Sequence, residues 1–314
     1  KDFKKLKSVF VKVTCSKSAL SIISSNFYDN PSSKIDLIGI TGTNGKTTIS
    51  SLLFDLFNRF SINSGLISTI NIKYGDQDID STNTTPDSKS INYHLAEMIK
   101  SNVKICFMEV SSHGIDQKRI EGLFFKGVIF TNLTHDHIDY HKSFANYRDT
   151  KKKIFDSLPN SSFSLINSDD RNSKYIIQNS KSKKYTYGIK NKSDFNSSIL
   201  EIQLEGMLLN IDKNEIWTKL IGDFNAYNIL AIYSLGKIYE LDTIRLLKTI
   251  SQLENVQGRL QSFITKDRVT VIIDYAHTPD ALENVLKTIN KIRTVGQRLI
   301  TVVGCGGNRD TKKR

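Results

Sequence analysis

A chain of 314 residues with 39% apolar residues is long enough for two domains of ordinary size with packed cores, which excludes a disordered chain. Its 44 Lys and Arg against 32 Asp and Glu give a net charge of +12, suited to nucleic acid or to phosphorylated small substrates. The charge is spread in short Lys clusters without a helix-turn-helix, zinc-finger or aromatic-basic strand pattern, and no run approaches the length of a membrane span. Nucleic acid and a membrane are therefore set aside as partners.

The first residues, KDFKKLKSVFVKV, lack an initiator Met and any apolar stretch leading to a small-residue cleavage site. Residues 17–28 have a helical apolar rhythm, and Pro31-Ser32-Ser33 separates them from the next apolar run. Residues 1–33 read as the remnant of an earlier domain. Ile35, Leu37, Ile38 and Ile40 then predict a buried parallel strand, Gly42 and Gly45 a tight turn, and Lys46, Thr47 and Thr48 the start of a helix over 47–59. Backbone N–H groups at such a helix start attract phosphate, a lysine offers a point charge to the outer phosphates, and the Thr47 hydroxyl is placed for Mg2+. The strict phosphate-loop pattern is not met, because its first glycine position is Ile40, so strand, turn and helix context carries the reading against that of an ordinary glycine-rich turn.

A short strand is expected over 66–72, a polar loop at NTTPDS (83–88), and a second buried parallel strand over 103–108 that ends at Glu109. A carboxylate at the C-terminal edge of such a strand is where an open α/β sheet places ligand and metal chemistry. From Glu109 to His141 the chain is densest in polar groups, with His113, His135, His137 and His141 around a further buried strand at 127–131. The H-x-H-x-x-x-H spacing without cysteine is not a usual zinc pattern, and a neighbouring phosphate loop favours carboxylate-bound Mg2+; a solvent-exposed histidine cluster is the bland alternative. The three cysteines, Cys15, Cys106 and Cys305, are isolated, which fits a reducing cytosol.

Phe144, Tyr147, Lys151, Ile154, Phe155 and Leu158 describe a helix with Lys151 drawn inward, ordinarily a snorkelling side chain. Short antiparallel strands are expected at 184–189 and 199–220, and a long helix over 220–239 whose entry exposes Asn225 and Asn228. Two amides there read a purine edge or cap the helix. After a short helix at 243–250 the pattern breaks at Gln257-Gly258-Arg259-Leu260. A strand at 269–273 ending in Asp274, a helix over 280–292 and a strand at 299–303 predict a second β-α-β unit. Two strands and one helix cannot bury a core alone, so both ends of the chain read as truncated.

Nine segments carry a resemblance: GTNGKTT (42–48), NTTPDS (83–88), EVSSHGIDQKRI (109–120), FTNLTHDHIDYH (130–141), YRDTKK (147–152), GDFNAYN (222–228), GR (258–259), DYAHTPDAL (274–282) and GCGGNRD (304–310). In this order and spacing the chain resembles the Mur ligase family, and within it the tripeptide-forming MurE type. The resemblance implies an α/β enzyme: residues 1–33 as the remnant of a uridine-nucleotide-binding domain, 34–260 as a central P-loop-like parallel-sheet ATPase domain, and 261–314 as an incomplete Rossmann-like domain. It implies a monomeric cytoplasmic ligase that uses ATP and Mg2+ to add meso-diaminopimelate, or alternatively L-lysine, to UDP-N-acetylmuramoyl-L-alanyl-D-glutamate through an acyl phosphate. The reading of another class is a P-loop nucleotide-binding module without ligase activity.

The same resemblance implies roles position by position. Gly42, Thr43, Asn44, Gly45, Lys46, Thr47 and Thr48 would hold the ATP phosphates, with Arg259 as a further phosphate contact, Asn225 and Asn228 toward adenine, Asp274 on the ribose and His277 nearby. Thr47 and Glu109 resemble ligands of a first Mg2+ and His137 of a second, beside Lys151 at the position of a carbamylated lysine. Thr84, Thr85, Ser111, Gln117 and Arg119 look like the muramoyl-dipeptide contacts. Asn308 and Arg309 would lie near the incoming amino acid.

Overall fold

The computed structural model describes residues 11–294 and 296–304. Helix α1 (Ser16–Phe27) and a 3-10 turn (Pro31–Ser33) lead into β1 (Asp36–Thr41), and Gly45 precedes α2 (Lys46–Arg59). Strands β2 (Ser64–Ile67), β3 (Asn71–Tyr74) and β4 (Gln77–Asp80) are followed by α3 (Ser88–Lys100), β5 (Ile105–Glu109), α4 (Ser112–Asp116) and β6 (Gly127–Phe130). Then come α5 (Ile138–His141), α6 (Phe144–Asp156), β7 (Phe163–Asn167), α7 (Ser173–Ile177) and β8 (Lys183–Gly188). A meander of β9 (Phe195–Gln203), β10 (Gly206–Ile211) and β11 (Asn214–Thr218) precedes α8 (Asp223–Ile238) and α9 (Thr243–Ser251). The described chain closes with β12 (Gln261–Ile264), β13 (Thr270–Ile273) and α10 (Pro279–Ile292). Helix starts are fixed by side chains that accept backbone N–H groups, as Asp87 does from Ser90, Ser111 from Gly114, Ser143 from Asn146 and Thr278 from Ala281.

Eleven strands form one sheet in the order β11-β10-β9-β8-β7-β6-β1-β5-β2-β3-β4. The run from β2 to β9 is parallel, with antiparallel pairs added at both edges. Alternation along the strands divides the apolar residues between two cores. Ile38, Ile40, Ile105, Phe107, Ile129 and Leu165 meet α2, α8 and α9 on one face, whereas Leu37, Cys106, Met108, Val128, Phe130 and Ile166 meet α3, α6 and α7 on the other. Covered on both faces, the central strands read as continuous apolar runs, as parallel strands do. From β1 the chain passes to β2 on one side of the sheet, and from β6 to β7 on the other. The carboxyl ends of β1 and β6 therefore flank a topological switch point, where open α/β sheets bind ligands.

Three expectations are corrected. Strand β8 is parallel to β7 and β9, not antiparallel, because the unforeseen α7 supplies the crossover that a parallel return needs. The strand expected over 66–72 is two, β2 and β3, separated by a bend at 68–70. Residues 299–303 form no strand; β13 pairs with β12 in an antiparallel hairpin, and Ile300 and Val302 are exposed. Helix α1 lies where its rhythm puts it but turns Ser21, Ser24 and Ser25 inward, leaving Leu20, Ile23 and Phe27 exposed. Small serines bring α1 close to its neighbours, and hydrogen bonds satisfy them: Ser21 with Ser88 and the Lys118 carbonyl, Ser25 with Asn30.

Candidate active site

The turn after β1 is shaped by two glycines in the left-handed half of conformational space, Gly42 at φ 153° and Gly45 at φ 89°. A Cβ on Gly42 would sit 1.9 Å from Thr131 Oγ1, and one on Gly45 2.6 Å from Asn228 Oδ1. The segment after β6 braces this loop: Thr131 Oγ1 donates to the Asn44 carbonyl at 2.6 Å, and the Asn44 N–H donates to Asn132 Oδ1 at 2.9 Å. The Thr43 N–H reaches the Asn132 carbonyl at 2.8 Å, and Thr43 Oγ1 lies 3.0 Å from the Tyr147 hydroxyl. Gly45→Ala should thus both strain the backbone, at about 1–2 kcal/mol, and push Asn228 aside. The expected result is a lower melting temperature and about tenfold weaker binding of a non-hydrolysable ATP analogue in calorimetric titration; unchanged affinity would detach Asn228 from the nucleotide site.

Three cations gather at this loop. Lys46 Nζ donates to the carbonyls of Thr43 at 2.7 Å and Gly42 at 3.0 Å, and Lys151 Nζ donates to the same Gly42 carbonyl at 2.9 Å. Arg259 arrives from beyond α9, its Nη2 donating to Thr47 Oγ1 at 3.0 Å while its guanidinium stacks 4.5 Å from the Tyr275 ring. Burial lowers the Lys46 pKa, with Arg259 adding to the effect and Glu109 and Asp136 opposing it. Lys151 is only 1% exposed, so it does not snorkel. Burial, reinforced by Lys46, pushes its pKa well below the ordinary lysine value, against the pull of Asp136.

Glu109 closes β5 opposite Ile40 and is fully buried. Its Oε2 accepts from Thr47 Oγ1 at 3.1 Å, and its Oε1 accepts the Thr69 N–H at 2.7 Å. Burial raises its pKa, opposed first by Lys46 and then by these hydrogen bonds. Thr69 was not singled out by the sequence. It sits in the bend after β2, and its partner is 40 residues away, so no local pattern marks it.

Thr85 Oγ1 donates to the Glu109 carbonyl and accepts the Ser111 N–H, both at 2.9 Å. Arg119 Nη1 donates to the Thr85 carbonyl at 2.6 Å, and its Nε and Nη2 both reach Gln117 Oε1, at 3.1 and 2.7 Å. Thr84, Thr85, Ser111, Gln117 and Arg119 line a cleft of about 1450 Å³ that Asp274 and His277 also line. His113, His137 and His141 come together, with the His113 ring 4.8 Å from His137 and 5.8 Å from His141. His135 is exposed and stands outside this stack, while burial lowers the pKa of both His113 and His141. His137 adopts a left-handed backbone at φ 53°, a region histidine enters more readily than most non-glycine residues.

Neither asparagine on α8 caps it. Asn225 Nδ2 donates to the Ile221 carbonyl at 2.9 Å and Asn228 Nδ2 to Asn225 Oδ1 at 2.8 Å, which leaves Asn228 beside Gly45. Asp274 accepts N–H groups from Leu260 at 2.8 Å and Ala276 at 2.7 Å, and exposed His277 lies beside Tyr275. Asn308 and Arg309 lie outside the described residues.

Residues 40–235 match the Mur ligase middle domain, and residues 258–314 match the Mur ligase glutamate ligase domain. The chain is 48% identical over 304 residues to a UDP-N-acetylmuramoyl-L-alanyl-D-glutamate--2,6-diaminopimelate ligase of Cytophaga hutchinsonii, covering 97% of this chain and 62% of that protein. It is 47% identical over 305 residues to the ligase of the same name from Bacteroides fragilis, covering 97% and 63%. Among solved structures, a diaminopimelate ligase of that name superposes with a TM-score of 0.75 at 29% identity, covering 95% of this chain and 62% of the other. A Mycobacterium tuberculosis folylpolyglutamate synthase shares the fold at a TM-score of 0.71 and 17% identity, covering 87% and 70%. The chain thus spans a little under two thirds of the curated diaminopimelate ligases it matches.

Proposed function

We propose that this chain, which belongs to the Mur ligase family, supplies the ATP-using core of a ligase that adds meso-diaminopimelate to UDP-N-acetylmuramoyl-L-alanyl-D-glutamate. The observation that carries this reading is the meeting of Lys46, Thr47, Glu109 and Arg259 at the ends of parallel strands, next to a cleft lined by Thr84, Thr85, Ser111, Gln117 and Arg119. The names of the diaminopimelate ligases it resembles supply the substrates. Action in the cytoplasm, as a monomer, belongs to the same proposal. So does the division into residues 1–33, 34–260 and 261–314. Among the described residues no helix is long and apolar enough to cross a membrane.

In this reading the terminal D-glutamate carboxylate attacks the γ-phosphate of ATP, giving an acyl phosphate and ADP. The amine of the diamino acid then attacks the acyl carbon, giving the amide and phosphate. Lys46 and the α2 N-terminus offset charge on the transferring phosphoryl oxygens, and Arg259 adds a third positive group. Gly42, Thr43, Asn44, Gly45 and Thr48 would complete the phosphate cradle, Asn228 beside Gly45, with Asn225 behind it, is assigned to the adenine side, and Asp274 and His277 to the ribose. Thr84, Thr85, Ser111, Gln117 and Arg119 orient the dipeptide so that its carboxylate meets the phosphate in line. Asn308 and Arg309 are assigned to the incoming amino acid by the family resemblance alone.

The donor set fits Mg2+. Thr47 and Glu109 present hard oxygens 3.1 Å apart, and a fully buried carboxylate gains from a cation beside it. No group of three His, Cys, Asp or Glu suited to a metal is found among the described residues. Thr47 and Glu109 would hold a first ion, and His137 with modified Lys151 a second; bound there, Mg2+ would draw electron density from the phosphoryl oxygens.

The substrate choice is tested by kcat/KM of the full-length protein for meso-diaminopimelate and for L-lysine at fixed nucleotide substrate. We expect diaminopimelate to be preferred by at least about 100-fold, because a buried group left without its carboxylate partner costs several kcal/mol. Preference for L-lysine would overturn the amino-acid assignment. Phosphate release that requires neither substrate would favour a nucleotide-binding module instead.

A further inference from the structure

We infer that Thr69 is a positioning residue that couples the phosphate end of the site to the dipeptide end, an inference that rests on the ligase reading above. The geometry is a chain of hydrogen bonds. Thr69 grips both oxygens of Glu109, its N–H at 2.7 Å from Oε1 and its hydroxyl at 3.1 Å from Oε2. The same hydroxyl lies 3.1 Å from Thr84 Oγ1. Glu109 Oε2 also accepts from Thr47 Oγ1, which in turn accepts from Arg259. A continuous path thus runs from Arg259 through Thr47, Glu109 and Thr69 to Thr84 in the cleft.

The path has one adjustable joint. A threonine hydroxyl carries a single proton, and an ionised carboxylate only accepts. While Thr69 donates to Glu109, Thr84 is the partner that donates to Thr69. A substrate group that draws the Thr84 proton away removes a donor from Thr69, whose hydroxyl then rebalances toward or away from Glu109. Occupancy of the dipeptide end is thereby felt at the carboxylate beside Thr47, and the reverse holds with equal strength because binding free energies are reciprocal. Burial sharpens the effect, since Glu109 is fully enclosed and each hydrogen bond to it counts for more than in water. The Thr69 N–H keeps the carboxylate in place when the hydroxyl is lost, so removing the hydroxyl should change coupling more than folding.

The experiment measures calorimetric affinity for magnesium and a non-hydrolysable ATP analogue, with and without UDP-N-acetylmuramoyl-L-alanyl-D-glutamate. It uses the full-length parent protein, Thr69→Val, Thr69→Ser and Thr84→Val. In the parent, the dipeptide nucleotide should change analogue affinity by about fivefold or more. That factor should fall toward one in Thr69→Val, which keeps the shape and loses the hydroxyl, and return in Thr69→Ser, which keeps the hydroxyl and loses the methyl. Thr84→Val should abolish it as well, and the double variant should be no worse than either single one. Coupling that survives in Thr69→Val, or that is lost in Thr69→Ser but kept in Thr69→Val, overturns the inference, as do effects of the two sites that multiply. Should Thr69→Val fail to fold, Thr84→Val and Thr69→Ser decide it: coupling kept in the former or lost in the latter overturns it. A parent protein that binds the analogue but not the dipeptide nucleotide overturns the ligase reading, and the coupling with it. Binding of both ligands with unchanged coupling in Thr69→Val overturns only the role of Thr69.

Discussion

Lys46→Ala should lower ligase turnover by at least about 100-fold, the size usual for a lost transition-state charge, in a protein that melts close to the parent temperature. The ammonium stands at the start of α2 and is held by the Thr43 and Gly42 carbonyls at 2.7 and 3.0 Å. The loop keeps its form without it, because Thr131, Asn132 and the Asn132 carbonyl fasten Asn44 and Thr43 independently. Removing a half-buried cation whose pKa is already depressed by burial also relieves repulsion with Lys151 and Arg259. Stability is thus expected to hold while chemistry fails. Amide formation under saturating substrates, with calorimetric melting as the control, decides the matter; near-parental turnover in a folded variant would remove Lys46 from the chemistry.

Lys151→Ala should lose turnover on a similar scale, at least about 100-fold, and recover part of it when a short carboxylate is added. The physical case begins with burial. A desolvated lysine flanked by Lys46 spends more of its time as the neutral amine, and only that form attacks CO2. The nitrogen forms a bond to the carbon of CO2 and loses a proton, and the product is a carbamate. A buried cation whose Nζ now donates to the Gly42 carbonyl at 2.9 Å becomes an anion, and the repulsion with Lys46 becomes attraction. Lys151 and His137 both border the Tyr147 ring, at 4.9 and 6.2 Å, so the new carboxylate would stand near the imidazole. Mass measurement of the intact active protein should show the added CO2, labile to acid. An unmodified amine in fully active protein, or a Lys151→Ala variant with parental turnover, would overturn the assignment.

The turn between β1 and α2 was legible because its signal is local: an apolar run, two glycines and a Lys-Thr pair specify strand, turn and helix within a dozen residues. Lys151 was not legible from periodicity, which brings it to the inner face of α6 but cannot say whether the head group reaches water. Its destination is a carbonyl 109 residues earlier in the chain. Thr69 was missed for the same reason, its worth being set by where Glu109 ends β5. The α8 asparagines left two readings open, and the structure removes the cap. Their spacing suits a cap, yet the helix begins at Gly222 without a side-chain cap, and the two amides bond inward. Helix α1 shows the limit of amphipathic reasoning: its apolar period marks the helix, but the face it buries is the serine one, held by hydrogen bonds in a tight contact. The parallel course of β8 hinged on α7, five residues long and too short to leave a periodic trace.

The register of β1 carries a consequence for the order in which the protein assembles. Its neighbours on the two sides, β5 and β6, pair Asp36 with Ile105 and Thr41 with Phe130, and one brace on the turn runs from the Thr134 N–H to Thr43 Oγ1. During synthesis the turn after β1 cannot receive this brace until about ninety further residues have left the ribosome. Its two glycines and exposed carbonyls must wait, solvated and unformed, while both flanking strands are made. Non-local closure of this kind slows folding and lengthens the interval in which apolar strands are uncovered. The turn after β1 is therefore completed only after both of its flanking strands, and a pause in translation before residue 134 would leave it without the Thr134 brace.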